Sequence, residues 1–221
     1  MEAIERTVLD TDWITLILLF SITILAVAKK FYPGRFHEFI ILFATNKYLM
    51  LKGKDPNVFH PFNLLFFGIN IISVSLFIFL IFSGFIAHKE EPVVFFLQIA
   101  TAYAALVLVK FFVEKIIADI FTINDVIDPY VFHKLTYRNF LAFILLPLNI
   151  AFVYAFQPSL TTLVWVLGFI LILNILVLIS FYSKIRRQIF SRWFYFIVYL
   201  CALEIAPYFI LYKWFTMYKG F

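Results

Sequence analysis

The chain has 221 residues, of which 64% are hydrophobic, 21% aromatic and only 14% charged, a balance outside the range of soluble globular domains. A formal net charge of +5 would suit nucleic acid in a soluble protein, but among apolar spans Lys and Arg mark the cytoplasmic side, so no nucleic-acid partner is expected. The single cysteine, Cys201, lies inside an apolar run and rules out an intrachain disulfide framework.

In chain order, each long charge-free run reads as a transmembrane helix, because hydrocarbon must be crossed by roughly 20 apolar residues whose backbone groups pair internally. The first is Trp13 to Ala28, closed by Lys29 and Lys30 and preceded by Asp10-Thr11-Asp12, which supply carboxylates and a possible N-cap. The acidic start and the lack of a small-residue cleavage site lead us to expect that this run is retained. Residues 35–54 are apolar but interrupted by Arg35, His37, Glu38, Asn46, Lys47, Lys52 and Lys54, which predicts a helix in the interface or against the bundle, or a hairpin dipping partway into the membrane.

Pro61 to Ala87 carries no charge and is the second crossing. The third begins at Pro92, a helix-start proline, and is uncharged through Val109. Lys110, Glu114, Lys115 and Asp119 then predict a helix that continues beyond the hydrocarbon. From Asn139 to Ser183 there is again no charge, and Gln157-Pro158-Ser159 divides this stretch into crossings at Asn139 to Phe156 and Ser159 to Ser183. A basic loop with Lys184, Arg186, Arg187 and Arg192 follows, then a sixth crossing from Trp193 to Tyr212. Trp13, Trp193, Tyr212 and Trp214 sit at span ends, where amphipathic rings favour the interface.

The expected architecture is therefore all-α: one integral membrane domain over 1–221, with six transmembrane helices plus an interfacial or re-entrant helix after the first. Of the 18 Lys and Arg residues, all but Arg6, Lys89, Lys213 and Lys219 fall after crossings one, three and five. The positive-inside rule then places both termini away from the cytoplasm.

The residues with chemical potential are few. Glu204 lies near the centre of the last run, where a carboxylate costs several kcal/mol on an insertion scale, roughly 3, and needs a partner or a proton. Pro207 removes a backbone donor beside it. One reading is a proton or ligand site. The other is a packing hydrogen bond to Asn70, Asn149 or Asn174.

The island from Lys110 to Asn139 gathers Lys110 and Glu114, and Lys115 and Asp119, each pair at helical i,i+4 spacing, with His133, Lys134 and Arg138 beyond. These form either salt-bridged helix ends or a polar vestibule, with Arg138 expected to neutralise Glu114 or Asp119 across the helix interface. Asn124-Asp125-Val126-Ile127-Asp128 looks like the first aspartate-rich motif of the intramembrane prenyltransferases, in which carboxylates hold magnesium on a diphosphate. There is no second such motif, six crossings fall short of that family's nine, and Pro129 follows at once, so a capped interfacial turn ended by Asp128-Pro129 is the competing reading. His37, His60, His88 and His133 are scattered, no Cys/His spacing suits a metal, and neither a Gly-rich phosphate loop nor a Gly-x-Ser-x-Gly elbow occurs. No cofactor and no catalytic residue are expected. Asn139, Pro147 and Asn149 mark a possible polar seam or packing positions.

The run from His133 to Asn139 ahead of an apolar span, and the closing Cys201 to Tyr208 with Tyr212-Lys213, resemble an uncharacterised family of Bacteroidota multi-pass inner-membrane proteins catalogued only as a domain of unknown function. The resemblance covers the last two thirds of the chain. It implies a bacterial inner membrane and carries no activity. The expected role is a non-enzymatic subunit of a larger membrane assembly, with the lipid bilayer and other membrane proteins as partners. The alternatives are a carrier for protons or an amphipathic solute using Glu204, and a lipid-handling enzyme using Asp125 and Asp128.

Overall fold

A computed structural model describes residues 12–41, 60–85, 91–120, 122, 124–156 and 158–189. These form six helices and no strand: α1 (Asp12–Phe31), α2 (Pro33–Ile40), α3 (Pro61–Phe85), α4 (Pro92–Ile120), α5 (Asn124–Tyr154) and α6 (Leu160–Ile189). Four of them, α1, α3, α4 and α5, are long and apolar enough to cross a membrane among the described residues. The expected sixth crossing, Trp193 to Tyr212 with Glu204, lies outside the described residues, as do residues 42–59 and with them the second half of the expected interfacial or re-entrant helix.

Local sequence explains most of the boundaries. Asp12 sits in the first turn of α1 and Lys29 and Lys30 in its last, matching the positive and negative ends of the helix dipole. Prolines occupy the first position of α2, α3 and α4, where a missing N–H is not needed. Ser159 caps α6, its hydroxyl oxygen accepting from the Thr162 N–H at 3.3 Å.

Two boundaries differ from expectation. Asp128-Pro129 does not end a short turn: α5 runs unbroken from Asn124 through Pro129 and Pro147. Pro129 lies just behind the first turn, whose N–H groups have no intrahelical acceptor in any case, so it removes only the bond to the Asp125 carbonyl. Likewise Lys184, Arg186 and Arg187 belong to the last turns of α6 instead of a loop. Cations suit the negative end of a helix dipole.

The spans alternate in direction. The end of α1 (Ala28), α2 (Phe36, Phe39), the start of α3 (Phe62, Phe66) and the first half of α5 (Phe132, Phe140) share one aromatic core. The Phe39 and Phe66 ring centroids there are 4.4 Å apart. The start of α1 (Ile14, Leu18), the end of α3 (Leu76, Phe79) and the start of α4 (Phe96) form a second core, with Ile150 and Val153 from the end of α5 against it. Trp13 closes that end, edge-on to Phe79 at 5.2 Å. Helices α3 and α5 therefore run parallel at the centre, and α4 and α6 each pack against both. Two parallel cylinders offer only two such grooves, so α4 and α6 lie on opposite flanks. Helix α2 lies against the bundle through Phe36 and Phe39, with Arg35 and His37 turned further outward.

Candidate polar site between α3, α4 and α5

The polar island is split between two helix ends facing each other across a tight turn. Helix α4 has 29 residues, about 43 Å of rise, so a hydrocarbon layer of roughly 30 Å beginning at Pro92 would be crossed by about Phe112. Glu114, Lys115 and Asp119 then fall at or beyond the edge, as expected from the sequence. The turn is made at Thr122, whose φ of 51° is left-handed and whose N–H donates to the Asp119 carbonyl at 3.2 Å.

Glu114 is buried, with 2% of its surface exposed, and its carboxylate accepts from the Lys134 ammonium of α5 at 2.5 Å. Lys134 also stands over the Tyr130 ring, 5.5 Å from its centroid. The Lys115 ammonium donates to the Asp128 carboxylate at 2.5 Å, and the Asn124 amide to the Asp119 carboxylate at 2.9 Å. Glu114, Lys115 and Asp119 thus meet partners across the hairpin. Arg138, expected opposite Glu114 or Asp119, lies one helical turn beyond Lys134, with its guanidinium 5.9 Å from the Phe67 ring centroid. His133 stands edge-on to Phe132 at 6.4 Å. Lys110 is half-buried on α4, one turn before Glu114. Asp125 lies in the first turn of α5, and its neighbour in the aspartate motif, Asp128, holds Lys115. Among the described residues no group of three or more His, Cys, Asp or Glu side chains is placed to hold a metal ion.

Deeper in the bundle, α3 and α5 are joined by reciprocal hydrogen bonds. The Asn70 amide of α3 donates to the Arg138 carbonyl of α5 at 3.0 Å, and its oxygen accepts from the Tyr103 hydroxyl of α4 at 3.0 Å. The Asn149 amide of α5 donates to the Ser73 carbonyl of α3 at 2.8 Å. Asn70 and Asn149 are completely buried. The side-chain oxygens of Asn139, Asn149, Ser73 and Ser75 are also buried, with no hydrogen-bond partner among the described residues. At the far end the hydroxyls of Thr15 and Tyr154 meet at 2.6 Å. Asn149 serves helix packing, and Asn139 is buried on the same helix. Asn174 bonds to the Ile170 carbonyl of its own helix at 2.9 Å. Tyr103 and Ser73 were not singled out by sequence reasoning. An isolated tyrosine in an apolar span and a serine contributing only its carbonyl carry no pattern to find.

The profile of a family described as a domain of unknown function (DUF4271) matches residues 14–215. The chain belongs to that family. Searches of curated proteins and of solved structures return no match. The match takes in every described helix of the DUF4271 chain except the first residues of α1, and it spans the whole polar region around Glu114 and Asn70.

Proposed function

We propose that this chain is a multi-pass protein of a bacterial inner membrane, with six crossings and both termini away from the cytoplasm, and that it works as a non-enzymatic component of a larger membrane assembly. The observation that carries this reading is how the polar side chains of the bundle are used. Glu114, Lys115, Asn70 and Asn149 each join one helix to another, while the outer faces of α1 and α4 present Leu16, Leu19, Phe20, Leu97 and Val109 to the surroundings. Such a molecule holds its shape with its polar groups and meets its environment with apolar ones, as a membrane scaffold does. Purification of the full chain in mild detergent tests the proposal. Stoichiometric protein partners that survive a second column are expected, and a chain that carries only lipid or an ion would overturn it.

The buried polar groups favour a second reading, a proton-coupled carrier. Asn139, Asn149, Ser73 and Ser75 lie along α3 and α5 between the levels of the Glu114–Lys134 pair and the Thr15–Tyr154 contact, buried and with side-chain oxygens unfilled by the described residues. Glu204 would then be the group that cycles a proton. In reconstituted vesicles Glu204→Gln should retain folding but abolish pH-driven uptake; unchanged uptake removes this reading.

A further inference from the structure

Helix α4 is the least buried of the four spans, with only 11% of its apolar stretch covered among the described residues, and its open side is the one turned away from α3 and α5. Along it Gln98, Ala102, Ala105, Val109, Phe112 and Ile116 recur at alternating spacings of four and three, and every one is exposed. A spacing of 3.5 keeps one stripe facing a partner helix through a left-handed supercoil. The two alanines make a shallow notch where another backbone can approach closely.

Gln98 is the residue that lipid cannot satisfy. It lies about 9 Å along the helix from Pro92, inside the hydrocarbon of a crossing that starts there. Its side-chain amide is exposed and has no hydrogen-bond partner among the described residues, only its backbone carbonyl accepting from Thr101. An amide facing hydrocarbon without a partner is strongly unfavourable, because nothing there replaces the hydrogen bonds it made to water.

Among the described residues no helix covers it, and α6 occupies the opposite flank of the α3–α5 pair. A primary amide carries both a donor and an acceptor. It is therefore complementary to a copy of itself across a two-fold axis along the membrane normal, where identical positions of two parallel helices meet.

We infer that the Gln98–Ala102–Ala105–Val109 stripe of α4 is a homodimer seam, in which two copies of this chain pair through reciprocal Gln98 amide hydrogen bonds. The inference rests on the membrane reading above.

The test is oxidative cross-linking of the full chain in native membranes, with single cysteines placed along α4 in a Cys201→Ser background. Ala102→Cys, Ala105→Cys and Val109→Cys should give disulfide-linked dimers. Leu97→Cys, Leu106→Cys and Leu108→Cys, exposed but rotated off the stripe, should give few. Gln98→Leu in the Ala105→Cys chain should weaken the dimer about threefold to twentyfold, as measured by dilution into detergent micelles. Monomer at every position, dimer yields without the 3.5-residue period, or adducts to a different protein would each overturn the seam. Resistance to alkaline carbonate extraction, read on the same membranes, reports on the membrane reading separately: a chain that resists extraction yet never cross-links loses only the dimer.

Discussion

Glu114 has almost no contact with solvent, so the energetics of its carboxylate depend on Lys134. Removing one partner of a buried ion pair leaves the other uncompensated at a cost of about 3 to 5 kcal/mol, whereas replacing both with apolar groups can be neutral. Glu114→Ala and Lys134→Met should each strongly lower the melting temperature in detergent, and the double variant should recover much of the loss. Additive effects in that cycle would show that the pair does not couple. The Lys115–Asp128 bridge, nearly a third exposed on each side, belongs to the class worth at most about 1 kcal/mol, so Asp128→Asn should change the same melting curve little. Thr122 presents the opposite case, a residue strained by its backbone: a β-branched side chain at a φ of 51° costs about 1 to 2 kcal/mol relative to a residue without a Cβ. Thr122→Gly should therefore raise the melting temperature by a few degrees. A fall would mean that the side chain contributes more to the α4–α5 turn than its conformation costs.

At the scale of elements, α3 and α5 are fastened by Asn70 and Asn149, each fully buried and each donating to a carbonyl of the other helix. Interhelical polar bonds of this kind average about 0.6 kcal/mol and reach about 1.7. Asn149→Leu and Asn70→Leu should each destabilise within or slightly above that range, Asn70 more because the Tyr103 hydroxyl also loses its acceptor. Equal melting curves for both leucine variants and the wild type would remove the asparagines from the account of packing. The spans themselves were legible because runs such as Pro61 to Phe85 contain no charge and begin at a proline. The cross-hairpin pairing was not, although it follows from a rule: once α4 and α5 are antiparallel, residues at nearly equal distances from the turn face each other, which pairs Lys115 with Asp128 and Asp119 with Asn124. Helical spacing within α4 instead pointed to Lys115 with Asp119, because i,i+4 contacts can be read without knowing the fold. The start of α5 at Asn124 was hidden by Pro129, read as a terminator when it stands next to a helix start that tolerates it.

For the molecule as a whole, the alternation of α1, α3, α4 and α5 puts the Lys29–Lys30 end of α1 and the Lys115 end of α4 on one side, the side that the proposed orientation turns to the cytoplasm. Cysteine labelling tests that orientation directly: in a Cys201→Ser background, Asp125→Cys should react only after the membrane is opened, and Glu91→Cys should react from outside the cell with an impermeant reagent. The reverse pattern would invert the topology. The paired asparagine bonds bear on which parts of this bundle can move. Both end on backbone carbonyls, those of Arg138 and Ser73, so neither depends on the side chain that the carbonyl residue carries. The bonds themselves survive a change of side chain at either position, whereas sliding α3 past α5 by one turn would break both at once. Helices α3 and α5 are consequently held in one register, and α4 is tied to that pair by its own bonds, Glu114 to Lys134, Lys115 to Asp128 and Tyr103 to Asn70.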